Sequence, residues 1–173
     1  MQDVADMTFA TYKPQNERQR IALATIAERD RSYYLYGDYG VGKTHLMVAM
    51  ALRSMQKGRA AVLINVPKLL QAMRKSGRDN QADIEEMAAN IPVLCLDDIG
   101  KQKDSDWTEE RLFMLIDARW KLQRRDRGFT CFTSQYPIDD LVNRHDGGII
   151  SRIRGMCWPI RIDGEDYRQR EVR

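Results

Sequence analysis

The run Gly37-Asp38-Tyr39-Gly40-Val41-Gly42-Lys43-Thr44 is a complete G-x-x-x-x-G-K-[ST] pattern. Residue types in that order do one kind of chemistry, which is to hold a polyphosphate. Glycines let the backbone curl until successive N–H groups face one anion, and the N-terminus of a following helix adds partial positive charge. The Lys43 ammonium can reach β- and γ-phosphates, and the Thr44 hydroxyl suits a Mg²⁺ ligand. With His45 at the next position, residues 37–45 form the candidate binding stretch for a nucleoside triphosphate. ATP and Mg²⁺ are the expected ligands.

A second group, Val93-Leu94-Cys95-Leu96-Asp97-Asp98, is an apolar run closed by two carboxylates. Hard oxygen donors at the end of a buried strand are what a magnesium–phosphate complex needs. Asp97 joins Thr44 as the candidate metal ligand, and Asp98 is the candidate that orients an attacking water. A third group, Phe129-Thr130-Cys131-Phe132-Thr133-Ser134-Gln135, is an apolar run that turns polar at its end. Ligands of parallel sheets sit at the carboxyl ends of strands. Gln135 would therefore face the γ-phosphate and the water if this strand lay beside the strand that precedes the loop.

Such groups need strands that end at them and helices that start there. Tyr33–Tyr36 runs into the glycine loop, and Leu46, Met47, Ala49, Met50 and Leu52 follow at helical spacing. Along the rest of the chain strands and helices alternate, which predicts an α/β fold with a mainly parallel sheet covered on both faces. Predicted strands are Ser32–Tyr36, Ala60–Val66, Val93–Asp97, Phe129–Ser134 and Cys157–Ile162. A helix opens after Pro14 at Asn16 and Glu17 and runs to Glu28. Others run from the loop to Gln56, with Gly58 ending it, and from Pro67 to Lys75. Ser76–Asn80 reads as a polar loop and Asp83–Ala89 as a short helix. Asp106 is the expected cap of a long helix that carries Leu112, Leu115, Ile116 and Trp120 and ends near Asp126. Pro137–Val142, Gly147–Met156 and Glu165–Arg170 read as further helices. One domain is expected over residues 1–173, with 1–30 a polar lead and helix and 31–173 the phosphate-loop core.

Composition narrows the class. Hydrophobic residues make up 43% and charged residues 31%, as in an ordinary globular protein. No apolar run approaches membrane-spanning length, and Asp3 and Asp6 are unlike a signal peptide, so a cytoplasmic protein without membrane contact is expected. Cys95, Cys131 and Cys157 lack metal-ligand spacing and read as buried thiols. His45 and His145 are too isolated for a metal or acid–base role, and Met47, Met50, Met55, Met73 and Met87 read as core filler. A net charge of +3 gives no global argument for nucleic acid. Locally, Lys68, Arg74, Lys75 and Arg78 form a basic segment that suits sequence-tolerant contact with single-stranded DNA, with no aromatic stacking platform among them. Arg119, Lys121, Arg124, Arg125 and Arg127 read as a solvated outer face of the long helix.

The motifs together resemble the AAA+ ATPase core of bacterial replicative helicase loaders of the DnaC/DnaI type, a group also similar to the IstB transposition ATPases. The resemblance rests on Tyr36–Leu46, Leu94–Gly100, Phe132–Gln135, Ser151–Arg154 and Asp166–Arg170, and spans the chain from about Phe9. It implies a P-loop NTPase (ASCE) three-layer sandwich with a five-stranded parallel sheet of order 5-1-4-3-2. ATP bound between subunits of a homo-oligomer, hydrolysis, and delivery of a ring-shaped hexameric DnaB-type helicase onto single-stranded DNA are further implications. It also implies that Arg152 is an arginine finger reaching a neighbour's ATP and that Arg168 is a sensor-2 arginine contacting the γ-phosphate. Two features depart from the loader pattern. Asp98 stands where AAA+ proteins generally carry Glu, and Gln135 stands where loaders commonly carry Asn, in a Thr-Ser-Gln form like that of the transposition ATPases. Loaders also carry a separate N-terminal region, so an ATPase core excised from a longer protein and a short protein with a different helicase contact are both open. The alternative function is an IstB-like transposition helper. A small-molecule kinase would need an arginine-rich lid between strands, which is missing. A non-hydrolysing nucleotide-dependent adaptor is a further alternative.

Overall fold

The computed structural model describes residues 3–75, 78–102, 105–125 and 127–169, the side chains of 78–80 and 169 excepted. Five strands, β1 (Tyr33–Tyr36), β2 (Ala61–Asn65), β3 (Val93–Asp97), β4 (Phe129–Ser134) and β5 (Trp158–Arg161), form one sheet. Their spatial order is β2-β3-β4-β1-β5, and every pairing is parallel. This is the expected 5-1-4-3-2 arrangement read from the other edge. The helices are α1 (Glu17–Glu28), α2 (Lys43–Gln56), α3 (Val66–Lys75), α4 (Arg78–Asn90), α5 (Asp106–Arg124) and α6 (Gly147–Met156).

Alternation of side chains along each strand sorts the core into two layers. Tyr33 and Leu35, Val93 and Cys95, and Phe129 and Cys131 pack with Ile26 of α1 and Leu46, Met47 and Met50 of α2. Tyr34, Leu94, Leu96 and Phe132 face the other way, onto Leu70, Leu112, Ile116, Ile150 and Ile153 of α3, α5 and α6. Strands buried on both faces explain why these runs are apolar throughout rather than alternating. The three cysteines are buried, as read from their neighbours, and burial pushes the Cys95 thiol up to about 12.

Several local expectations change. Ser105, not Asp106, caps α5: its Oγ accepts the Thr108 N–H at 3.2 Å, and Asp106 becomes the first helical residue. The short helix expected at Asp83–Ala89 is the longer α4, which absorbs residues 78–80 of the expected loop, while Ser76 and Gly77 lie outside the described residues. Pro137–Val142 is a 3-10 turn at Asp140–Asn143, and the tail is a 3-10 turn at Tyr167–Gln169, with Arg170 outside the described residues. The lead is not merely polar, because Tyr12 is buried and Phe9 packs against the α1–α2 layer. Met55 and Met87 are exposed, unlike the buried Met47, Met50 and Met73.

The largest correction is Arg119. It is 1% exposed, not part of a solvated face. Its guanidinium donates to the carbonyls of Ala89 (3.2 Å), Ile91 (2.5 Å) and Phe129 (2.9 Å) and to Thr130 Oγ1 (2.9 Å). The arginine thereby satisfies the carbonyl end of α4 and the entry to β4, and burial pushes its pKa down to about 10.

Candidate functional site

β1 ends at Tyr36, residues 37–42 make the loop, and α2 starts at Lys43. Gly42 takes φ 96° at the helix N-cap, and no side chain caps α2, which leaves the first-turn N–H groups to an anion. Gly40 sits at φ 68°, and a Cβ there would run into the Asp166 carboxylate. A Cβ on Gly42 would meet the Tyr12 ring. Only glycine fits both positions. Lys43 is buried, and its Nζ donates to the carbonyls of Gly37 (2.8 Å) and Asp38 (2.6 Å), so the lysine lies across the loop. Burial, helped by the nearby Lys101 charge, lowers its pKa.

At the end of β3 the acidic residues are held by neighbours from three other elements. Asp97 Oδ1 accepts from Thr44 Oγ1 (3.0 Å) and Thr133 Oγ1 (2.6 Å). The Asp98 N–H in turn donates to Thr133 Oγ1 at 3.0 Å. Asp98 has φ 63°, the left-handed region that a residue with a Cβ visits at a cost, here held by β3, β4 and the following turn. Its carboxylate accepts from Asn65 Nδ2 (3.3 Å) and pairs with Lys101 Nζ (2.6 Å). Lys101 Nζ also lies 4.6 Å from the Tyr39 ring centre, which brings it over the loop.

β4 does lie beside β1, with Ser134 opposite Tyr36, so Gln135 is level with the start of the loop. Gln135 Nε2 is buried with no hydrogen-bond partner. A buried amide donor without an acceptor is costly unless a ligand supplies one. The uncapped turn of α2 and this amide are donors lacking an anion, while Thr44 and Asp97 place a hydroxyl beside a carboxylate. Among the described residues no three His, Cys, Asp or Glu side chains cluster as a self-sufficient metal site. Two hard oxygen donors completed by phosphates and water are the arrangement Mg²⁺ favours. The residues present fit a magnesium–nucleoside triphosphate.

The remaining candidates are placed unequally. His45 turns its ring to the lead, with Nε2 2.8 Å from the Thr8 carbonyl and its ring edge-on to Tyr12, so only its backbone belongs to the loop. His145 is buried, with Nδ1 2.7 Å from Glu109 Oε1, and serves packing between α5 and the α6 entry. The C-terminal tail closes on the loop: the Tyr167 N–H donates to the Gly40 carbonyl at 3.1 Å, which brings the exposed Arg168 next to it. Arg152, on α6, is turned to α5. Its Nε pairs with Asp117 at 2.7 Å, and its guanidinium stacks over Phe113 at 4.4 Å and Trp120 at 5.9 Å. None of these partners belongs to the loop.

Lys68 and Lys75 are exposed on α3. Arg74 is partly committed: it donates to Ser105 Oγ at 3.1 Å and lies 5.0 Å over Trp107. The tertiary structure thus brings an aromatic ring to a segment whose own sequence lacks one. Arg78 opens α4, and its side chain lies outside the described residues. Asn65, Lys101 and Tyr12 are site neighbours that the motifs did not flag. For Asn65 a signal existed, a polar side chain closing an apolar strand beside Asp97.

The family described as IstB-like ATP binding protein matches residues 1–173. The replicative helicase loader DnaI of Bacillus subtilis is 27% identical over 153 residues, covering 81% of this chain and 48% of that protein. An insertion sequence IS21 putative ATP-binding protein of Pseudomonas aeruginosa is 24% identical over 173 residues, covering 97% of this chain and 64% of that protein. The crystal structure of the DnaC helicase loader superposes with a TM-score of 0.79 at 27% identity, covering 92% of this chain and 98% of that one. The chain therefore spans about half to two thirds of the length of the first two relatives. A phosphate loop, an acidic strand end and a five-stranded parallel sheet in this order, together with a match along the whole chain, place this protein in the IstB-like ATP-binding family.

Proposed function

We propose that this protein is an ATP-hydrolysing switch that helps deliver a ring-shaped replicative helicase onto single-stranded DNA. The observation that carries the ATPase reading is the contact network around Asp97 and Asp98, which gathers Thr44, Thr133, Asn65 and Lys101 at the mouth of the loop. Likeness to two helicase loaders supports the assignment of a job.

In this reading the α2 first turn and Lys43 bind the triphosphate, with Lys43 exchanging its two carbonyl acceptors for phosphate oxygens. Thr44 and Asp97 would hold Mg²⁺, which would supply charge neutralisation for the triphosphate. Asp98 accepts a hydrogen bond from water and orients it. Its present partners, Asn65 and Lys101, keep that carboxylate engaged until the site is filled. Gln135 donates its orphan amide N–H to a γ-phosphate oxygen or to the water. Arg168 adds a cation from the tail, and Arg152 adds one to a neighbouring subunit's site after leaving Asp117. Lys68, Arg74, Lys75 and Arg78 supply electrostatic DNA contacts.

A second reading, an IstB-like transposition helper, is favoured by the relative from IS21 and by Gln135 in its Thr-Ser-Gln setting. The test is affinity capture of the protein from its own cells with a non-hydrolysable ATP analogue. Recovery of a hexameric helicase supports the loader, and recovery of a transposase overturns it in favour of the second reading.

A further inference from the structure

Opposite the phosphate loop, at the amino ends of the strands, lies a cleft of about 770 Å³. It is lined by Arg29, Arg31 and Ser32 before β1, Arg59 before β2, Pro92 before β3, and Arg127 and Phe129 where β4 begins. We propose that this cleft is a second binding site, for single-stranded nucleic acid, separate from the nucleotide site and from the basic segment on α3.

The charge balance points to a polyanion. The one carboxylate in the lining, Asp30, is already shared by Arg53 (2.7 Å), Lys57 (2.7 Å) and Arg59 (3.9 Å). Among the described residues no carboxylate lies within ion-pair distance of Arg29, Arg31 or Arg127. A chain whose whole net charge is +3 thus gathers four arginines against one carboxylate at one concavity, a local surplus equal to that of the whole chain. The cations are all arginines, whose planar fork matches phosphate oxygens in pairs. The floor, by contrast, is internally satisfied: Ser32 Oγ donates to Gln123 Oε1 at 2.6 Å and accepts the Thr130 N–H at 2.9 Å. The free hydrogen-bonding capacity therefore lies on the arginine rim.

An aromatic side chain stands beside the rim, outside the lining residues and joined to them through Arg31 and Ser32. Trp158, at the start of the edge strand β5, donates its backbone N–H to the Ser32 carbonyl at 3.0 Å and is 48% exposed. Arg31 lies 4.0 Å over its ring. A guanidinium already stacked on an exposed indole is a platform that a base can extend by stacking, with its phosphates on the neighbouring arginines. An acidic peptide would use the arginines and leave the indole idle. A few unpaired nucleotides suit a cleft of this volume.

The experiment is fluorescence anisotropy of labelled oligothymidylate of about 12 nucleotides, a length suited to one single-strand site, at several salt concentrations. Arg29→Gln/Arg127→Gln removes two exposed charges that have no ion-pair partner among the described residues. We expect about tenfold weaker binding and a log K against log salt slope smaller by about 1.4, two phosphates' worth for single strands. Trp158→Leu should weaken binding about tenfold with the slope unchanged, because stacking is not ionic. Circular dichroism and magnesium–ATP affinity should match the parent for both. An unaltered slope in the double variant would overturn the proposal. So would competition by polyglutamate, or by a duplex of equal length, as effective as by unlabelled oligothymidylate. The same titration on Lys68→Ala/Lys75→Ala reads the α3 surface separately, so each assignment can fail alone.

Discussion

Lys43 and Asp98 divide the labour of the site, and their variants should divide its observables. Lys43 is buried across the loop and is the cation that phosphate oxygens meet first. Lys43→Ala should abolish magnesium–ATP binding in a calorimetric titration. Affinity equal to that of the parent would remove the phosphate-loop assignment. Asp98 reaches the loop through Lys101 and through its charge acting on Lys43, not as a ligand of the phosphates, so Asp98→Asn should bind ATP within a few-fold of the parent yet lose turnover by about a hundredfold or more. A variant that hydrolyses at the parental rate would transfer the water-orienting role elsewhere. These two residues were legible because the patterns that mark them are local. Asn65 and Lys101, which hold the same carboxylate, were not flagged by those patterns: strand order brings β2 to Asp98, and the turn after β3 folds Lys101 back onto it.

At the scale of elements, α4, α5 and the entry to β4 are locked by one buried arginine. Arg119→Met keeps the bulk but leaves the carbonyls of Ala89, Ile91 and Phe129 without their donor. A loss of about 3–5 kcal/mol is expected, because several buried carbonyls lose their donor at about 1–3 kcal/mol each, partly offset by removing a buried charge. Guanidinium denaturation would detect it, and a change below 1 kcal/mol would contradict the role given to this side chain. Acid should act through two carboxylates. Burial by itself would raise Asp30, but Lys57 and Arg53 outweigh it and hold its pKa below the ordinary value. Lys121 first, then Arg152, does the same for Asp117. A group depressed in the folded state contributes stability above its unfolded pKa, and that contribution is lost as pH falls through the folded one. Stability should therefore decline below about pH 4, and Asp30→Asn/Asp117→Asn should flatten that decline in denaturation measured from pH 7 to 3. An equally steep decline in the double variant would place the acid sensitivity in other groups.

For the whole molecule the question is whether sites are shared between copies. Arg152 is occupied within its own chain by Asp117, Phe113 and Trp120, none of them in the loop. If it serves a neighbour, Arg152→Ala should bind ATP normally and hydrolyse it poorly, and specific activity of the parent should rise with protein concentration. Fingers supplied in trans contribute about 10³–10⁵ in rate in strong cases. Mixing Arg152→Ala with Lys43→Ala should restore activity, because Lys43→Ala subunits still donate Arg152 to an intact loop next door. A mixture no more active than its parts, with mixed oligomers verified, would confine Arg152 to its own subunit.

The sequence by itself determined the α/β class, the five strands, the loop with its helix, and the acidic strand end, because these follow from short-range rules. Glycine spacing, side-chain alternation and caps act over a few residues and can be read without neighbours. Even there, Ser105 outcompeted Asp106 as a cap, since either residue type can accept a first-turn N–H. Tertiary structure alone decided what long side chains do. Arg119 reads as surface by composition, yet it lies where α4 and β4 present carbonyls that need a donor. Arg29, Arg31, Arg59 and Arg127 are scattered in sequence, and they converge because parallel strands start at the same end of the sheet. Neighbourhood across a sheet is set by strand order, which no local pattern encodes.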